Sequence, residues 1–425
     1  AGAVARPEIE AGAPEPAHGE VFEGVAGREY AQRPAVEIGT LVARGARVLV
    51  LQTPEARVAE TRRAEIVARR PGAVLRFERA VDELLQNPTA QTLEAARERW
   101  KEARIPYGYT EAFRFYGGPI DDEDGPEGQL NGWPLDENHI DAVDLDRYNA
   151  APGENIIGNV EKHPEITPEL VAEQNEAGGE KNIASGYHAI EFLLWGQDFN
   201  DPPESAGNRS HEDFITDGDD TSINARRGQY LKAATTLLIR DLESVAEEWR
   251  VPPAGQSNYR SELISGDVPT ALKRMFTGIA ALAEVEMAGE RMDVPLLSSD
   301  QEEEQSCFSD TTSADLRANA AGIEHVYYAK YTRLNGTVVS GPSLADLVRD
   351  ADPRVADEVD ARIAKTREAV HAIQTPFDRE ILPDNEEGRA RVQAAIDALR
   401  AQALSLTRAA RSIQIFLSDL QSLGD

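Results

Sequence analysis

An all-α protein of two antiparallel helical bundles is the fold that this sequence predicts, and three observations predict it. Apolar residues recur at helical spacing through much of the chain, and regular β alternation is nearly absent. The patterned segments fall into two sets of about four, separated by Pro252-Pro-Ala-Gly-Gln256. A chain of 425 residues has room for two cores of this kind. The matching sets suggest an ancient duplication, although no residue-by-residue repeat accompanies them.

Residues 1–34, rich in Ala, Gly, Pro and Glu without a sustained period, read as a tether or surface strap. From Pro34 to Arg70, Val36, Ile38, Leu41, Val42, Val48 and Leu51 predict a helix weakened at Gly45 and Pro54. Helical patterns follow at 78–104, 181–196 and 222–250. The stretch 117–165, with Asp121-Asp-Glu-Asp124, is an irregular insertion long enough to be functional or a cover. After the linker, helices are predicted over 268–292, 313–333, 353–374 and 387–422. The expected division is therefore a tether (1–34), a first bundle (35–251) and a second bundle (257–425).

The formal charge of −31 argues against nucleic acid, whose phosphates require a basic footprint, and against anionic lipid surfaces. Its ordinary meaning is a well-solvated acidic surface. A single cysteine, Cys307, excludes an intramolecular disulfide framework and a cysteine-based zinc site. No apolar run is long enough for a transmembrane helix. The start at Ala1 is one that a processed export product would show, and a recombinant fragment would show it too.

The most informative segment is Ile183-Ala-Ser-Gly-Tyr-His-Ala-Ile-Glu-Phe-Leu-Leu-Trp195. As a helix it places Ile183, Tyr187, Ile190 and Leu194 on one face, with Phe192 and Leu193 covering much of the rest. A helix apolar nearly all round belongs in a core, so His188 and Glu191, roughly 60° apart, go inside with it. A buried carboxylate must be paired, protonated or bound to a metal. Imidazole plus carboxylate suits iron, zinc or manganese, with further ligands required from other helices.

Other ionisable pairs stand in similar surroundings. Glu111 and Arg114, crowded by aromatics in Tyr107–Tyr116, share a helix face. They read either as an intrahelical ion pair beneath a Thr110 cap, or as a ligand and its orienting partner or anion clamp. Glu286 and Glu290, four apart, repel unless a proton, a cation or Arg291 intervenes. Ser309-Asp310-Thr-Thr-Ser313 reads as a helix start capped by Asp310 or Thr312. His325, on a further apolar helix, reads as a core residue.

Gly186-Tyr-His-Ala-Ile-Glu191 resembles the Gly-x-His-x-x-Glu signature of the imelysin-like proteins, which include iron-regulated envelope proteins and proteins named as insulin-cleaving metalloproteases. The likeness extends through Tyr107–Tyr116, Asn131–Asp136, His188–Asp198, Arg226–Leu231, Glu290–Met292, Glu304–Asp310 and Gly341–Leu344, in order. It looks closest to the two-domain iron-regulated branch. The resemblance implies two helical bundles, export through a signal peptide to the periplasm or outer membrane, and a site in the groove between the bundles. His188 and Glu191 carry over as the metal-binding pair. Glu111, Arg114, Glu290, Arg291, Ser309 and Asp310 lie in matching blocks.

Three functions follow as expectations. The first is an envelope protein that binds a metal ion or metal chelate, iron favoured and zinc next, with His188, Glu191, Glu111 and Glu290 as ligands. Arg114, Arg291, Ser309 and Asp310 would support that site, and an envelope protein would be a possible partner. The second is a zinc peptidase, although His-Glu-x-x-His is missing and residue 192 is Phe, so the inverted motif is missing too. The third is a metal-free ligand-binding or scaffold protein in which His188, Glu191 and Arg114 form a polar network. A non-enzymatic role is favoured over the peptidase.

Overall fold

The computed structural model describes residues 72–123, 125–143, 155–198, 205–216, 218–333, 335–418 and 420. The tether and the helix expected before Arg70 lie outside these residues. All described residues belong to one compact unit, and among them the only strands are two short ones.

Helix α1 (Gly72–Gln86) buries Val74, Phe77, Val81 and Leu84, which recur every three or four residues. The single helix expected over 78–104 is in fact two. Asn87-Pro88 ends α1, and a Thr89–Thr92 capping box starts α2 (Ala90–Thr110). Helix α3 (Gly186–Trp195) is buried at all ten positions, and α4 (Ile223–Glu248) completes this bundle from its Ser222 cap. Their core gathers Phe77, Trp100, Tyr187, Phe192, Trp195 and Tyr230.

The second bundle begins with α5 (Val268–Ala281), capped by Asp267. It runs directly into a π-helical segment, Leu282–Asp293. Helix α6 (Thr312–Tyr327) follows, then α7 (Pro353–Ala372) and α8 (Glu386–Ser412). Helix α6 stops before the expected Arg333, because Lys330–Thr332 (β1) pairs antiparallel with Val338–Ser340 (β2). Asn335-Gly336 between them is the turn signal that the helical reading passed over. Helix α8 likewise ends ten residues before the expected Ser422.

The two cores trade residues. Ala112 and Tyr116, early in the chain, pack in the second core. Phe308, late in the chain, packs in the first, its ring 5.3 Å from that of Phe192. Helix α2 lies along α6 at this seam. A Cβ on Gly108 would come within 2.8 Å of the Ala318 Cβ, so only glycine permits that approach.

Candidate functional site

Gly186 opens α3 with φ +81°, where a Cβ would lie 2.6 Å from the Leu130 carbonyl oxygen and 2.7 Å from that of Gln129. The first residue of the motif is therefore glycine for two reasons, a left-handed backbone and contact with a neighbouring main chain. Gly186→Ala should destabilise the chain by about 2–3 kcal/mol, read as a lowered midpoint in denaturant unfolding. Trp100 seats the helix from α2, its Nε1 donating to the Tyr187 carbonyl at 3.1 Å.

Within α3, His188 Nδ1 lies 2.8 Å from Glu191 Oε2, and both side chains are buried. On the other side of the ring, Arg104 Nη2 is 3.2 Å from His188 Nε2. A guanidinium only donates, so Nε2 must accept and Nδ1 must carry the hydrogen that reaches Glu191. The ring is neutral in this arrangement. Burial, then the charges of Arg104 and Arg291, hold its pKa well below the usual histidine range.

Glu191 Oε1 receives the Ser309 amide at 2.9 Å and contacts the Ser309 hydroxyl at 2.7 Å. Ser309 Oγ in turn lies 2.8 Å from Thr311 Oγ1. Burial pushes the Glu191 carboxyl up to about 8, opposed by the Ser309 hydrogen bonds. The proton has a place to sit. A hydrogen on Oε1 can donate to Ser309 Oγ, which passes its own to Thr311, while the Ser309 amide and His188 Nδ1 keep their bonds.

Arg104 joins this pair to the second bundle. Its Nε is 3.1 Å from Asp315 Oδ1 on α6, its Nη1 donates to Asn131 Oδ1, and its guanidinium stacks on Tyr107 and Tyr187 at 5.3 and 5.1 Å. Ser306 Oγ donates to the other Asp315 oxygen at 2.6 Å. Farther along the seam, Arg291 contacts Glu111, Glu286 (2.8 Å) and Asn319 (2.6 Å), and is fully buried. Arg114 reaches Glu286 at 3.0 Å and Glu127 at 3.4 Å.

The π-helical segment makes part of this possible. Glu286 and Arg291 are five apart, about 140° around an α-helix, where their side chains could not meet. In a π-helix, residues five apart stack on one face, and π turns are frequent at functional sites.

The sequence-predicted residues are only partly brought together. His188, Glu191 and Ser309 converge, and Glu111, Arg114 and Arg291 form the adjoining part of the seam. Glu111 and Arg114 do not pair with each other, because a 3-10 turn at Glu111–Phe113 ends the helix between them. Each finds its partner in the π segment instead. Thr110 makes no cap bond, its hydroxyl donating back to the Tyr107 carbonyl at 2.7 Å.

Glu290 lies on an exposed face, whereas Glu286 is buried against Arg291. Neither Asp310 nor Thr312 caps α6. The cap position is Thr311, whose side chain makes no capping bond and contacts Ser309 instead, Asp310 has φ +57°, and Thr312 Oγ1 accepts from the Ser306 amide. His325 packs between the Tyr109 and Tyr331 rings.

Arg104, Asp315 and Asn319 escaped the sequence reading. The signals were Arg104 between Trp100 and Tyr107 on the apolar face of α2, and Asp315 and Asn319 four apart on α6. As arranged, His188 and Glu191 do not fit a metal ion. The Nε2 lone pair points at a guanidinium, and a cation there would stand against Arg104. Among the described residues, the cluster of three metal-type donors with ligand atoms within 4.8 Å of one another is Asp198, Asp310 and Asp378.

Comparison with known proteins agrees with this architecture. The family model of imelysin, peptidase M75, matches residues 72–406. The chain belongs to the imelysin family. A relative of this imelysin chain is iron-regulated protein A of Synechococcus elongatus, 26% identical over 339 residues and covering 78% of each chain. Among solved structures, one from Parabacteroides distasonis, described as an iron-regulated protein A precursor, matches with TM-score 0.64 at 17% identity. That match covers 89% of this chain and 95% of the other. An imelysin-like protein from Psychrobacter arcticum matches with TM-score 0.51 at 15% identity, covering 85% and 97%. These two likenesses establish the shared helical-bundle fold. No described helix is long and apolar enough to cross a membrane.

Proposed function

We propose that this chain is an exported binding protein of iron handling in the bacterial cell envelope, periplasmic or outer-membrane-associated. In this reading its ligand seat is the seam between bundles 35–251 and 257–425. His188 and Glu191 act there as positioning residues that lock the seam. The observation that carries this reading is that His188 and Glu191 have every acceptor and donor engaged, by Arg104 on one side and Ser309 on the other. A hydrolytic zinc centre needs three protein ligands and an open fourth position, which this donor set does not offer. The iron link rests on the relationship to iron-regulated protein A, a name that states regulation by iron. Tyr107 Oη, Arg114 Nε and Arg291 Nε are buried without a hydrogen-bond partner among the described residues, and are the polar atoms a ligand would meet.

A second reading has iron held directly by His188, Glu191 and Glu111, with Glu290 recruited to them. The charge of the seam favours it. Arg104, Arg114 and Arg291 face Glu111, Glu127, Glu191, Glu286 and Asp315, two more carboxyls than cations. Burial raises Glu127 as well as Glu191, so protons can supply the missing charge, and a metal could replace them. For it to bind, Arg104 must leave His188.

Elemental analysis of protein purified without chelator and then loaded with iron separates the two. The locking role predicts that His188→Ala weakens the fold without releasing one equivalent of iron. Loss of that equivalent in His188→Ala, with the fold intact, would establish the second reading. Chelator-sensitive cleavage of an unfolded polypeptide, abolished in Glu191→Gln, would overturn both in favour of a peptidase.

A further inference from the structure

Away from the Arg104–His188 contact, the end of the motif helix meets the second bundle through three aspartates. Asp198 stands three residues beyond α3, Asp310 directly follows Ser309, and Asp378 lies in the short helix Phe377–Ile381. Each offers a carboxylate oxygen within 4.8 Å of the others, and all three side chains are buried. That separation is what oxygens around one cation at about 2.3–2.6 Å would span. The seam described above explains none of them.

Like charges so close and so dry repel strongly unless something intervenes. No described cation forms an ion pair with Asp310 or Asp378. Lys101, whose field reaches Asp310, is itself 3.0 Å from Glu98. A second observation points into the same place. Asp310 is 9% exposed, and its Oδ1 has no hydrogen-bond partner among the described residues. Glu304, 2% exposed, likewise leaves Oε2 without one, and the charges it feels most are those of Asp378 and Asp310. Buried carboxylate oxygens without donors are acceptors awaiting a positive charge.

We propose that Asp198, Asp310 and Asp378 bind one hard divalent cation of the calcium class, with Glu304 able to add a fourth oxygen. An all-oxygen donor set without imidazole or thiolate selects such ions over zinc or copper. The bound cation ties the segment leaving α3 to the loop that carries Ser309. Because Ser309 holds Glu191, the same ion fastens the motif pair. The proposal does not depend on the iron reading, since it concerns different donors and a different ion.

The test uses the full chain, stripped with EDTA and dialysed. Calorimetric titration with CaCl2 should give one equivalent bound, and thermal unfolding should shift upward as calcium rises. Asp310→Asn and Asp378→Asn should each weaken binding at least tenfold. Without calcium, both variants should be at least as stable as the parent, because each removes a repelling charge. A surface control, Asp357→Asn, should bind as the parent does.

Absence of both heat and thermal shift in the parent chain at millimolar calcium would overturn the proposal. So would binding that survives in both variants, which would mark diffuse attraction to the acidic surface. If neither variant folds, the stoichiometry and thermal shift of the parent chain decide. A single equivalent of iron bound in calcium's place, and lost in Asp310→Asn but not in His188→Ala, would assign the triad to iron and overturn the calcium-class assignment.

Discussion

Arg104→Ala is expected to destabilise the folded chain by about 3–5 kcal/mol, the usual consequence of removing one partner from a buried ion pair. Arg104 is 2% exposed and bridges Asp315, Asn131 and His188 while stacking on two tyrosines. Its loss leaves the Asp315 charge in the core with only Ser306 to satisfy it, and opens a void between Tyr107 and Tyr187. The measurement is equilibrium unfolding in denaturant, with the slope checked for two-state behaviour. A second readout separates the network from simple packing. The Arg104 charge is one of the causes keeping the His188 ring neutral, so His188 should titrate at higher pH in Arg104→Ala, followed by NMR of the ring. A loss below about 1 kcal/mol with an unmoved His188 would mean that the seam is not closed through Arg104.

Most of the fold was legible in the sequence, because a buried helix must repeat its apolar face. The α3 run is the clearest case, with Tyr187, Ile190 and Leu194 leaving no solvent face and all ten residues buried. Helix boundaries were less legible, since they depend on local chemistry that periodicity does not see. Asn87-Pro88-Thr89 breaks one apparent helix into two, and Asn335-Gly336 turns the end of another into a hairpin.

The site divides in the same way. That His188 and Glu191 go inside follows from their neighbours, and that they need partners follows from burial. Which partners they find depends on contacts between residues far apart in the chain. Arg104 and Ser309 are 84 and 118 positions from the groups they hold. Arg291 was legible as a group that could neutralise the Glu286–Glu290 pair, but the π-helical register that sets it against Glu286 was not. Glu286 is buried in that ion pair, and Glu290 is exposed.

The stability of this chain is expected to fall as pH rises from about 6.5 to about 8, and the buried carboxyls, Glu191 among them, are the reason. The ordinary carboxyl pKa of 4.5 holds for Glu191 in the unfolded chain, while burial raises it to about 8 in the fold. The folded state therefore binds this proton more tightly than the unfolded state between those limits. The resulting stabilisation is fully present below the unfolded pKa and disappears as pH climbs through the folded one. Each such proton contributes a slope of about 1.4 kcal/mol per pH unit within the window.

Glu127 and Glu304, also raised by burial, add to the slope, while His188 and His325, lowered by burial, oppose it below the ordinary histidine pKa of about 6.5. Glu111 opposes it at the acid end. Its pKa is lowered by Arg291, Arg104 and Arg114 against the effect of burial, so its stabilisation is lost only as pH falls below the ordinary carboxyl range. Denaturant midpoints at pH 6.5, 7, 7.5 and 8 should accordingly decline in order. Glu191→Gln supplies the control. An amide cannot accept from the Ser309 N–H while donating to Ser309 Oγ from the same atom, and turning it over places N–H against His188 Nδ1–H. The variant should be less stable by about 1–3 kcal/mol at pH 5, yet its midpoint should change less between pH 6.5 and 8 than that of the parent. A parent profile that changes no more than that of Glu191→Gln across this range would show that Glu191 is ionised throughout, and that Ser309 and His188 outweigh its burial.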